Sequence, residues 1–145
     1  MVPDRVRENT APDVNARIDQ RVERNVRCYA HADEEMIRQR IRELDEEWDV
    51  ERLLETNASS LLLAGALFSL VGGRKWLLLS LTVSGFLLQH ALQGWCPPIE
   101  VLRRIGIRTR KEIDQEKYAL KALRGDFRDI GDRDGGRALE AARAT

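Results

Sequence analysis

Two long apolar runs interrupt a chain in which 33% of residues are charged. The first lies between Glu55 and Arg74, with Thr56, Asn57 and the small residues Ala58, Ser59 and Ser60 leading into Leu61 to Gly73. The second lies between Lys75 and Glu100 and opens Trp76-Leu77-Leu78-Leu79. Roughly 20 mostly apolar residues, rising about 1.5 Å each, cross a bilayer core. Both runs are apolar all round, and the remaining sequence is too polar to cover two such helices in a soluble core. The pattern predicts an all-α chain, a two-span transmembrane helical hairpin flanked by amphipathic cytoplasmic helices. The hairpin is expected over 56–95, with spans at about 57–73 and 76–95.

Details inside the runs sharpen this expectation. Trp76 and Trp95 bracket the second run, roughly 28 Å apart on a helix. That separation suits one indole at each membrane interface, where the ring is buried and the N–H stays wet. Gly72-Gly73-Arg74-Lys75 supplies a tight reversal between the spans. Gly65 and Ser69 are four apart on the first span, as are Ser80 and Ser84 on the second. Such pairs let helix backbones approach closely, within the hairpin or between protomers.

Outside the hairpin the periodicity changes. Ile37, Ile41, Leu44 and Trp48 form a helical stripe, and Ile18, Val22, Val26 and Tyr29 a weaker one, which predicts an amphipathic arm over 13–55. Two readings compete for this arm: a helix lying on the membrane surface, or one side of a coiled-coil pair. Its polar face mixes both signs of charge, which favours a protein partner, a second copy first among them. Residues 1–12, with Pro3 and Pro12, are expected to be disordered, as is the Asp/Arg/Gly-rich stretch 126–145. Between hairpin and tail, 96–125 predicts a Cys-Pro break and basic juxtamembrane helices. Pro97 stops the second span near Trp95, Pro98 opens a short helix through Arg104, and Gly106 ends it. Thr109 and Glu112 form a capping box for a helix starting at Arg110 and stopping at Gly125.

Charge adds direction to the topology. The 24 basic and 24 acidic residues balance, so no overall field points to nucleic acid. Arg103, Arg104, Arg108, Arg110 and Lys111 follow the second span, against Arg74 and Lys75 in the turn. The positive-inside rule therefore puts both termini in the cytoplasm, with those five cations against anionic headgroups. The charged start of the chain carries no secretory signal, so the first span is expected to direct its own insertion.

Candidate chemistry gathers at the end of the second span, in Gln89, His90 and Gln93 and then Gly94-Trp95-Cys96-Pro97-Pro98. Polar groups inside a span are functional candidates, although the cost of burying them is small near the interface. Cys96 sits beside a new helix N-terminus, which favours thiolate, while the carbonyls closing the preceding helix oppose it. A buried, inert thiol is the competing reading. Cys28, His31, His90 and Cys96 have the side chains of a zinc site but not its spacing, so no metal and no cofactor is expected.

Gly94-Trp95-Cys96-Pro97 closing a short hydrophobic hairpin, followed by Gly106-Ile107-Arg108-Thr109, resembles the YgaP-like inner-membrane transmembrane domain family. The resemblance covers roughly Trp48 to Thr109. It implies a bacterial inner-membrane protein whose hairpin tends to dimerise. Some members add a rhodanese domain handling sulfane sulfur, and this chain has charged helical arms in its place. Three functions follow as expectations. The first is a homodimeric membrane anchor or interaction module, whose partners are the lipid bilayer, a second copy and a cytoplasmic protein meeting the arms. The second is sulfur or redox handling through Cys96, the candidate catalytic thiol. The third is an oligomeric channel lined by Gln89, His90 and Gln93.

Overall fold

A computed structural model describes residues 4–128, and every regular element among them is helical. The helices are α1 (Arg5–Glu8), α2 (Pro12–Tyr29), α3 (Glu34–Glu46), α4 (Val50–Gly72), α5 (Leu77–Gln93), α6 (Pro97–Arg104) and α7 (Arg110–Arg124), with a 3-10 turn at Arg74–Trp76 between α4 and α5. They form two compact units. One takes the described residues up to 19 together with 48–111, and the other takes 20–47 with 112–128.

In the first unit α4 and α5 pack side by side, and both are long and apolar enough to cross a membrane. Their helical windows are largely uncovered by protein: Leu63, Leu70 and Val71 on α4 and Leu81 and Leu92 on α5 are all exposed. Aliphatic side chains turned outward all round are at home in hydrocarbon rather than water. α4 starts well before its apolar run, because the Asp49 side chain caps the Arg52 amide at 2.8 Å and propagates a helix through the charged first turns.

Close approach of the pair depends on Gly65. A Cβ there would lie 2.5 Å from Ser80 Oγ and 3.2 Å from the Trp76 carbonyl oxygen, and Ser80 Oγ donates to the Leu62 carbonyl at 3.1 Å. Of the small residues singled out, Gly65 and Ser80 therefore serve the contact between α4 and α5. Ser84 bonds within its own helix, to the Ser80 carbonyl, and Ser69 likewise to Ala66. Gly65→Val is expected to force the two helices apart at an overpacking cost of about 1–3 kcal/mol, read as a lower thermal midpoint in detergent.

In the second unit Ile37, Ile41 and Leu44 of α3 meet Ile113 and Leu120 of α7, with Tyr29 and Ala32 at the margin. The stripe expected to seek a second copy is thus covered by the same chain. Trp48 lies outside α3 and is 44% exposed, with the Arg52 guanidinium 4.3 Å from its ring centroid. It leaves the stripe because Glu47, in extended backbone, ends the helix. The arm is also not continuous, since residues between Tyr29 and Glu34 separate α2 from α3. Under the apolar layer Glu116, 0% exposed, accepts hydrogen bonds from Arg40 Nη2 at 3.0 Å and Asn25 Nδ2 at 3.1 Å, while Lys117 pairs with Asp45.

The expectation of disorder over 1–12 is corrected from residue 4 onward. Asp4 caps α1 by accepting from the Arg7 amide, and Val6 is buried. A segment with a single large apolar side chain has no periodicity to announce a helix; tertiary contacts order it. At the other end, residues 126–128 continue past α7 in a turn, and the rest of the expected tail lies outside the described residues.

Candidate functional site

The chemistry collected at the end of α5 lies entirely in the first unit. α5 closes at Gly94, left-handed at φ 74°, whose amide bonds the His90 carbonyl at 2.7 Å. Glycine is required here twice over: a Cβ would sit in a strained backbone and lie 2.5 Å from Arg5 Cβ. Extended backbone at Cys96 then turns the chain into α6, with Pro97 and Pro98 at its start. Prolines belong there, because the first amides of a helix have no intrahelical acceptor.

Cys96 is 1% exposed, in an apolar cluster with Val6, Val50, Leu54 and Ile99, against which Trp95, Leu102 and Ile107 pack. Burial pushes its thiol pKa up, against the weaker opposite pull of the Ile99 backbone. Of the two sequence readings, the structure has the buried thiol. The lid is the 4–10 segment. Val6 packs in the cluster, Arg5 Nη1 donates to the Ala91 carbonyl at 3.1 Å, and Asn9 Nδ2 donates to the Gln93 carbonyl at 3.2 Å. Those carbonyls belong to the last turn of α5, which has no partners of its own to offer them.

Two of the five cations expected at headgroups are corrected by burial. Arg103, 1% exposed, donates to Thr10 Oγ1 at 3.2 Å, Asn15 Oδ1 at 3.0 Å and the Ile107 carbonyl at 3.0 Å. Arg108 is 0% exposed, and its carbonyl accepts from the Val50 amide at 2.9 Å. Arg104, Arg110 and Lys111 are exposed, with Arg104 Nε 2.9 Å from Glu100. Thr109 is buried, its hydroxyl donating to Asp4 Oδ2 at 2.7 Å, and α7 does begin at the following residue. Asp4, Val6, Thr10 and Asn15 were invisible to sequence reasoning as members of this site. Asp4 as a helix-capping residue type was the one local signal.

The remaining candidates are dispersed. Gln89 and His90 are half-buried on α5, and His90 Nδ1 is buried without a hydrogen-bond partner, while Gln93 is exposed. Trp76, the last residue of the 3-10 turn, packs on Phe68 with ring centroids 5.2 Å apart. Cys28 is exposed and belongs to the other unit, and no cluster of metal-ligating side chains occurs among the described residues. Between α4 and α5 an apolar cleft of about 280 Å³ runs among Leu61, Leu79, Val83 and Phe86 and ends at Cys96 and Pro98.

These features define an all-helical membrane protein whose two apolar helices are finished on one side by a packed Gly-Trp-Cys-Pro turn. The family described as inner membrane protein YgaP-like, transmembrane domain, matches residues 49–112, which supports the resemblance carried by the Gly-Trp-Cys-Pro turn. The match runs from the cap of α4 into the first turn of α7. No curated protein and no solved structure matches the chain.

Proposed function

We propose that the protein is a homodimeric anchor in the inner membrane, both termini cytoplasmic, which presents its second helical unit to a cytoplasmic partner. The observation that carries this reading is the internal use of the groups chemistry would need. Cys96 is closed under Val6, and Arg103 is spent on Thr10, Asn15 and Ile107. Orientation is supported by the cations that follow α5 outnumbering the two in the turn. Dimerisation is supported by α5, where Ser84 is exposed and a Cβ at Gly85 would meet nothing within 4 Å. Small residues with open space before them are what helix association in lipid uses. Sulfur handling through Cys96 is the weaker reading, since a buried protonated thiol is a poor nucleophile. The test is oxidative crosslinking of Gly85→Cys in native membranes, in a Cys28→Ser background. A dimer band at Gly85→Cys, absent with cysteine at the turn residue Arg74, is expected; equal or no crosslinking at both sites overturns the dimer.

A further inference from the structure

The short helix α6 has two contrasting sides. Ile99 and Arg103 face inward at 2% and 1% exposure. Val101 and Ile105, four residues apart, are 60% and 69% exposed, and Pro97 and Pro98 are exposed one turn earlier on the same side. Among the described residues of its own unit, nothing covers this stripe. Exposed β-branched residues in a row are costly in water, and their position along the chain says what medium they meet. α6 begins four residues after α5 ends, with only Gly94, Trp95 and Cys96 between them. A helix so close to the end of a spanning helix starts at the membrane–water boundary. Along the flank of the stripe stands Arg104, its side chain 67% exposed, where a long cation can reach headgroups while the aliphatic residues sink below them.

We propose that α6 lies in the plane of the leaflet in which α5 ends, with Val101 and Ile105 in the acyl boundary and Arg104 and Glu100 at headgroup level. The occupant of the stripe is lipid. The contact gives the domain a third membrane attachment besides its two spans, and it fixes the Gly-Trp-Cys-Pro turn at a constant depth. It also relocates the headgroup contact expected of the juxtamembrane arginines, since Arg103 and Arg108 are turned inward. Interfacial helices bind through buried apolar area, which Val101 and Ile105 supply here, with the Arg104–Glu100 pair left at headgroup level. The inference rests on the reading that α5 spans the bilayer.

The experiment uses the full chain in phosphatidylcholine–phosphatidylglycerol vesicles, with Cys28→Ser and the buried Cys96 kept. A nitroxide is attached in turn at Glu100→Cys, Val101→Cys, Arg104→Cys, Ile105→Cys and, as reference, Leu81→Cys. Accessibility to oxygen, which partitions into lipid, is compared with that to a water-soluble nickel chelate. Positions 101 and 105 are expected to favour oxygen several-fold over 100 and 104, approaching 81. Nickel access at 101 and 105 equal to that at 100 and 104 overturns the in-plane placement while 81 stays lipid-like. Exclusion of both reagents from 101 and 105, at every protein-to-lipid ratio, also overturns it and assigns the stripe to protein. Nickel access at 81 fails the spanning reading itself.

Discussion

Val6→Asp will open Cys96 to a water-soluble maleimide, raising its rate of modification by more than an order of magnitude while α4 and α5 stay folded. Val6 is 3% exposed in the cluster that holds the thiol. Burying such a side chain is worth about 1.5–3 kcal/mol, and a carboxylate in its place adds a desolvation cost. Against this the segment has its hydrogen bonds with Ala91, Gln93, Thr109, Arg103 and Asn15 and the exposed Arg7–Asp19 pair, each contributing about 0.5–1.5 kcal/mol net or less. The burial lost is comparable to what remains, so the 4–10 segment comes away locally while the rest of the unit keeps its packing. Every 1.4 kcal/mol lost multiplies the open population by about ten. A second effect has the same sign. Burial is what raises the thiol pKa, so exposure lets it fall back and increases thiolate at any given pH. The measurement is the labelling rate of Cys96 in a Cys28→Ser background, with Val6→Ile as control. An unchanged rate in Val6→Asp would show that the segment does not cover the thiol.

How much of this was legible in the sequence follows from which forces act locally. The two apolar helices were, because an all-round apolar run is a statement about solvent that no tertiary contact needs to complete. The stop of α5 before Pro97, the start of α6 there and the start of α7 at Arg110 were legible too, since proline and capping residues act on their immediate neighbours. Arg103 and Arg108 were not. Arginine defaults to the surface, and only partners far away in the chain, Thr10 and Asn15 for Arg103, make its burial possible. The lid over Cys96 was hidden for the same reason. Its hydrogen bonds to the end of α5 join residues separated by 84 positions or more, and no spacing rule reaches that far. In the arm, the stripe of Ile37, Ile41 and Leu44 was visible but its partner was not, because a stripe specifies an apolar surface and leaves open whether α7 or another chain covers it.

Arg40→Ala is expected to destabilise the second unit severely. Glu116 is wholly buried and takes both Arg40 Nε, at 3.1 Å, and Arg40 Nη2, at 3.0 Å, on one carboxylate oxygen. Asn25 contacts both oxygens, at 3.1 and 3.2 Å, and so supports the carboxylate without neutralising it. Arg40→Ala takes a cation away from a desolvated negative charge, and breaking a buried pair from one side costs about 3–5 kcal/mol. Replacing both partners is milder, since the double variant Arg40→Met with Glu116→Leu removes the buried negative charge together with Arg40. The effect is confined to the helices that share the ion pair. Amide exchange in α3 and α7 should therefore accelerate by about two orders of magnitude or more in Arg40→Ala, at 1.4 kcal/mol per factor of ten. Exchange in α4 and α5 should not change, because their protection derives from helix–helix packing at Gly65 and from the medium around them. Comparing the two variants fixes the order of effects: Arg40→Ala more severe than the double variant. If the double variant proves the more damaging, the pair stabilises the unit outright and the second unit is held by its charges more than by Ile37, Ile41, Leu44, Ile113 and Leu120.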